Sequence, residues 1–102
     1  MVIGKVVKQV VATVKNEAFA ARPLLLVQPL NMKMQAKGSE VLCIDFIGVD
    51  IGEVVMIMKE GSSVNDMMGL DEAPADAAIV GVVDHITVDD KKIFDKSTFE
   101  SA

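Results

Sequence analysis

Asp45, Asp50 and Glu53 lie close together in the chain, with Asp84 farther along, and paired carboxylates are the raw material of general acid–base catalysis. Nothing in their order makes them converge, and the ligand spacing of a calcium loop is absent. Turns and interface hydrogen bonds are the expected use of these groups. His85 is the lone histidine, so a metal site lacks ligands of suitable type and a catalytic dyad lacks its nucleophile. A solvated histidine at a strand end is expected. Ser62-Ser63 follows Gly61 without a Gly-x-Ser-x-Gly elbow, which suits helix capping better than nucleophilic attack. Gly48, Gly52 and Gly61 have the wrong spacing for a phosphate loop, and no Gly-Lys-Ser/Thr follows them. Cys43 sits within Val41-Leu42-Cys43-Ile44 and is expected to be a small buried hydrophobe. Met56 and Met58 share one face of a strand, a packing pattern and not a metal-binding tract. The residues therefore point to no catalytic group, no metal and no cofactor.

Composition narrows the function classes further. The 102 residues suit one domain, and 51% of them are apolar, with Val and Ile prominent among them. So much apolar surface exceeds the need of one small core, and part of it is expected between subunits. The net charge of −5 argues against a nucleic-acid partner, although Lys5, Lys8, Lys15 and Arg22 cluster loosely near the start. A single cysteine excludes an intrachain disulfide and suits a reducing compartment. Lys5, Lys8 and Gln9 interrupt the first apolar stretch before it reaches signal-peptide length, and no run is long enough for a membrane span. The expectation is a cytoplasmic chain with no membrane partner.

The elements that must position these residues are mostly strands. Alternation predicts strands over 2–15, 24–30, 41–47, 54–59 and 77–88, with a turn over 48–52 and a polar loop over 31–40. In the first strand Val2, Val6, Val10, Ala12 and Val14 share the inward parity, and Lys8 breaks it. Ser62 or Ser63 is positioned to cap a short helix over 64–68 between the fourth and fifth strands. Asp89-Asp90 offers a turn before a short returning strand at 92–94, and residues 97–102 are expected to fray. Gly81 stands amid Ile79-Val80 and Val82-Val83, where a glycine weakens a strand unless a bulge or close approach requires it. Pattern alone leaves an OB-like barrel and a small sandwich both open.

A series of short motifs resolves that choice by resemblance. Gly4-Lys5-Val6-Val7, Thr13-Val14-Lys15, Leu24-Leu25-Leu26-Val27-Gln28-Pro29, Ile44–Glu53, Gly61-Ser62-Ser63 and Asp76–Asp84 occur in this order. Together they resemble the EutN/CcmL family of bacterial microcompartment vertex shell proteins, over residues 1 to about 96. The resemblance implies an all-β fold, a five-stranded OB-like barrel occupying 1–96 as one domain. It also implies a homopentamer that caps the fivefold vertices of a shell tiled by hexameric proteins, which would be its partners. Gly61, Ser62, Ser63, Asp76, Gly81 and Asp84 are the structural motif positions. Gly48, Val49, Asp50, Ile51 and Gly52 form the loop that by analogy approaches the fivefold axis.

Three departures from the family pattern stand out. The family's Gly-Ala-Gly-x-Gly-Glu is here Gly48-Val49-Asp50-Ile51-Gly52-Glu53. Val64-Asn65 replace Ala-Arg after the Gly-Ser-Ser motif, and Ala21 stands where a glycine is frequent. If the loop does approach the axis, five Asp50 carboxylates would make an anionic ring. The alternative is a solvent-facing aspartate that caps a turn. An OB-type binder of single-stranded nucleic acid is the competing function, disfavoured by the absence of Trp and Tyr and by the acidity.

Overall fold

The computed structural model describes residues 2–11, 23–59 and 77–97. Seven strands run through them: β1 Val2–Val10, β2 Leu24–Pro29, β3 Val41–Asp45, β4 Val54–Met58, β5 Ala77–Val82, β6 His85–Val88 and β7 Lys91–Asp95. The first five close into a barrel in the order β1-β2-β3-β5-β4. Every pairing in it is antiparallel except β3 with β5. The predicted helix at 64–68 lies outside the described residues. Among the described residues, no helix is long and apolar enough to cross a membrane.

Period-two alternation builds the interior. Val6, Leu25, Val27, Val41, Cys43, Val55, Ile57, Ala77 and Ile79 form one buried cluster. A Val or Ile fully buried in this way contributes about 1.5–3 kcal/mol. Cys43 lies within this cluster with no solvent exposure, as expected of a small hydrophobe. Gly4 belongs to the tightest approach between strands. A Cβ placed there would lie 2.5 Å from Val27 Cγ1 and 2.8 Å from the Gln28 carbonyl oxygen, so only glycine fits.

Two bulges modify the predicted alternation. In β1, Val6 pairs with Val27 and Lys8 with Leu26, which leaves Val7 as the extra residue. A bulge reverses the parity beyond it. Lys8 thereby turns to solvent, where its charge is hydrated, and Val10 packs with Leu24, Ile44 and Ala78 on the outside of the barrel. The single inward parity expected through Val10 thus fails at Val7. The strand itself stops at Val10, Val11 is 92% exposed, and 12–15 lie outside the described residues. In β5, Ile79 pairs with Ile57 and Gly81 with Met56, so the second bulge places Val80 beside Gly81.

The expected strand 77–88 is also divided. It ends at Val82 and resumes at His85 as β6, which pairs with β7 in a separate two-stranded sheet. Val83 donates its N–H to the Val54 carbonyl at 2.9 Å, a bond that anchors the break. The hairpin turns at Asp89-Asp90, both with positive φ (50° and 63°), the geometry of a two-residue type I′ turn that favours Asn, Asp and Gly. Phe94 and Val83 then bury against Val54, with Ile3, Met56 and Ile86 around them. The hairpin thus shields apolar side chains on the outside of β1 and β4.

Candidate functional site

The 46–53 loop joins β3 to β4 across one mouth of the barrel, and two carboxylates fix its shape. Asp45 ends β3 on the inward parity and is only 3% exposed. Its Oδ1 accepts the N–H groups of Ile47 and Gly48, each at 2.9 Å, and its Oδ2 accepts that of Val49 at 2.8 Å. Bonds to an ionised acceptor are the strong kind, and three of them compensate the burial of this charge. Gly48 adopts φ +78° with open space around it, so the backbone conformation and not crowding selects glycine. Val49, one residue on, packs against the barrel interior.

Glu53 organises the second half of the loop. The Asp50 carbonyl accepts the Glu53 N–H at 3.2 Å, closing a turn whose third residue, Gly52, has φ +96°. A positive φ there is what a type II turn demands. The side chain of Glu53 reaches back, and its Oε1 accepts the Asp50 N–H at 2.9 Å. Its Oε2 accepts a bond from Lys96 Nζ at 3.1 Å. The Asp50 N–H, helped by Lys96, holds the Glu53 carboxyl below its usual range, against an upward push from burial that is second in size to the Asp50 bond and a lesser one from Asp45. The main chain is stitched to β1, since Gly52 N–H donates to Val6 O at 2.8 Å and Val6 N–H donates to Glu53 O at 3.0 Å.

The loop presents apolar and acidic groups outward. Ile47 and Ile51 are 47% and 59% exposed, and Asp50 is exposed between them. An open groove lined by Gln9, Pro23, Leu25, Val49, Asp50 and Ile51 runs beside it. The loop offers a shaped surface and no reacting constellation. Among the described residues, no group of three or more His, Cys, Asp and Glu side chains could hold a metal ion.

The other motif residues fall elsewhere. Gly61, Ser62, Ser63 and Asp76 lie outside the described residues. Gly81 sits beside the β5 bulge, where an added Cβ would make ordinary contacts of 3.7 and 3.8 Å with Met56. Asp84 is exposed at the break between β5 and β6, and its carbonyl accepts the Lys96 N–H at 2.8 Å. His85 is exposed at the start of β6, as expected of a strand-end histidine. The structure brings Asp45, Gly48, Val49, Asp50, Gly52 and Glu53 into one loop but leaves Gly81 and Asp84 on other elements. Sequence reasoning did not single out Asp45 as the organiser or Lys96 as the partner of Glu53. An Asp just ahead of a glycine turn was a usable signal for the first. The second, a contact across 43 positions, had none.

Comparison with known proteins agrees with this architecture. The sequence profile of a family described as ethanolamine utilisation protein EutN/carboxysome matches residues 1–84. A bacterial microcompartment shell vertex protein, GrpN of Rhodospirillum rubrum, is 41% identical over 86 residues, covering 84% of this chain and 96% of GrpN. The carboxysome shell vertex protein CcmL of Synechococcus elongatus is 31% identical over 96 residues, covering 94% and 96% of the two chains. Among solved structures, the pentameric microcompartment shell protein GrpN superposes with a TM-score of 0.72 at 34% identity, covering 86% of this chain and 99% of that one. CcmL of Nostoc sp. PCC 7120 superposes at 0.80 with 32% identity, covering 94% and 100%.

Proposed function

This chain belongs to the EutN/CcmL family, and from that premise we propose that it is a structural protein, not an enzyme, that assembles as a homopentamer and caps the fivefold vertices of a bacterial microcompartment shell. Its place is then the shell of a protein compartment within the bacterial cytoplasm, and its further partners are the hexameric proteins that tile the facets. The observation that carries this reading is near full-length similarity to vertex proteins, one of which has a solved pentameric structure.

The surface of the barrel supports it. Val10, Leu42, Phe46 and Val80 remain only partly buried around the Leu24, Ile44 and Ala78 cluster, an apolar outer face of the kind that obligate interfaces cover. The competing nucleic-acid reading needs stacking aromatics, but Phe46 and Phe94 both pack into apolar clusters. Within the pentamer the 48–52 loop faces the fivefold axis in this reading, and every loop residue recurs at equal radius. Five Asp50 carboxylates then form the anionic ring of a narrow passage, which disfavours anionic solutes. A pentamer structure with Asp50 more than about 15 Å from the axis, well beyond a Debye length of about 8 Å, removes the ring.

Native mass spectrometry of the full chain tests the assembly itself. The expected result is a single species of five chains with no folded monomer at micromolar concentration. A stable, well-folded monomer overturns the proposal, and a monomer that binds oligonucleotide establishes the competing one.

A further inference from the structure

We propose that Glu53 couples the loop over the barrel mouth to the C-terminal β6–β7 hairpin, so that the docked hairpin acts as a strap that keeps the 50–53 turn ordered. Three observations converge on adjacent residues. The carboxylate of Glu53 is divided between two regions, with Oε1 on the Asp50 N–H and Oε2 on Lys96 Nζ. Lys96 is itself held to the hairpin's base by its N–H bond to the Asp84 carbonyl. Val54, next in sequence to Glu53, receives the hairpin's apolar anchor, Phe94 with Val83, and accepts the Val83 N–H.

The division of labour within one carboxylate creates the coupling. With Lys96 in place, one oxygen is committed to the hairpin and the side chain can present the other to Asp50. Without Lys96, Glu53 regains rotamer freedom and the Asp50 N–H loses a fixed acceptor. Coupling of this kind is reciprocal, so disturbing the turn must also loosen the hairpin. The lowered pKa of Glu53 agrees with both partners stabilising its charged form. The consequence for a vertex rests on the assembly reading above: a neighbour that pulls on the hairpin would be felt at the Asp50 loop.

Amide hydrogen exchange measured by NMR on the full-length assembled protein tests this. In Lys96→Met, which keeps the aliphatic stem and removes the charge, Asp50 exchange is expected to rise about two- to fivefold, as befits a partly exposed ion pair, while Ile57 in the barrel stays unchanged. Glu53→Gln has one acceptor oxygen for two donors, so the Asp50 and Lys96 amides are both expected to accelerate by a similar factor while Ile57 again stays unchanged, and an unchanged Lys96 amide there overturns the coupling. Unchanged Asp50 exchange in Lys96→Met, or an equal rise at Ile57, overturns the coupling. Native mass measured on the same samples separates the two proposals. A monomeric parent protein counts against the vertex reading and leaves the exchange comparison intact.

Discussion

The barrel interior and the 46–53 loop are held by opposite kinds of force. In the interior, Val6, Val27, Cys43, Ile57 and Ile79 have no solvent exposure and interlock by shape alone. Across the mouth, the loop owes its path to two carboxylates, Asp45 and Glu53, which accept four backbone N–H groups between them. Apolar packing is undirected, so it tolerates exchange of like for like but no change of volume. Hydrogen bonds are directed, so the loop tolerates changes of outward side chains such as Asp50 and Ile51 and none of its acceptors. A family can thus vary the surface at this mouth while keeping one barrel beneath it.

The sharpest way to break the comparison is to add a single methyl group to the barrel. Gly4→Ala forces a Cβ to within 2.8 Å of the Gln28 carbonyl oxygen, which is backbone and cannot rotate away. A loss of about 3 kcal/mol in unfolding free energy is expected, measured by denaturant titration. Gly81→Ala meets only ordinary contacts with the flexible Met56, so it is expected to change stability by less than about 1 kcal/mol. Equal effects of the two substitutions would show that strand packing does not set the tolerance of the barrel.

Removing the loop's main acceptor comes next in size. Asp45→Ala strips three N–H groups of their partner and is expected to cost about 2 kcal/mol, with Asp45→Asn retaining one acceptor oxygen and losing about half as much. Chemical-shift changes confined to 46–50 would mark the loss as local, whereas changes spread through β4 would mean that the loop helps hold the barrel.

Acidification gives the smallest effect and reaches only the charged periphery. Asp95 accepts bonds from the Ser97 hydroxyl and N–H and from Lys92, and these bring its pKa from 3.8 to about 2. Glu53 is likewise lowered from 4.5, by the Asp50 N–H and then Lys96. A carboxyl with a depressed folded pKa stabilises the fold above its unfolded pKa and loses that contribution as pH falls through the folded value. Protection factors of the hairpin and turn amides are therefore expected to fall progressively between pH 4.5 and 2, while Val55 and Ile57 in the barrel keep their protection. A barrel that loosens in step with the hairpin would merge the two regions into one cooperative unit.

Much of this was legible in the residues. Period-two alternation of Val and Ile placed the starts of the five barrel strands and, within two positions, the ends of β2, β3 and β4, because a strand half-buried in a core must alternate, but it overran the ends of β1 and β5. The ordered motif series pointed to the family that the matching profile over residues 1–84 shows. The loop over 48–52 was marked by Gly48 and Gly52, whose positive φ angles few other residues adopt. Lys8 was visible as an interruption, but its resolution by a bulge at Val7 was not, since a bulge is specified by the partner strand. The break at Val83-Asp84 falls where the apolar run from Ala77 meets Asp84-His85, a polar interruption that the reading of one strand over 77–88 passed over.

The sequence by itself determined an all-β chain and its turn positions, which depend on local φ preferences and on the pattern of apolar residues along the chain, while the barrel and the family came from the resemblance carried by its ordered motifs. Only the tertiary structure decided that Gly4, and not Gly81, is the position without room for a methyl group. It alone placed the Asp45 carboxylate on three consecutive N–H groups, and it alone brought Lys96 to Glu53. These are matters of distance between segments far apart in the chain, and a distance of 2.5 or 3.1 Å is set by how the strands close around the core, which no residue encodes alone.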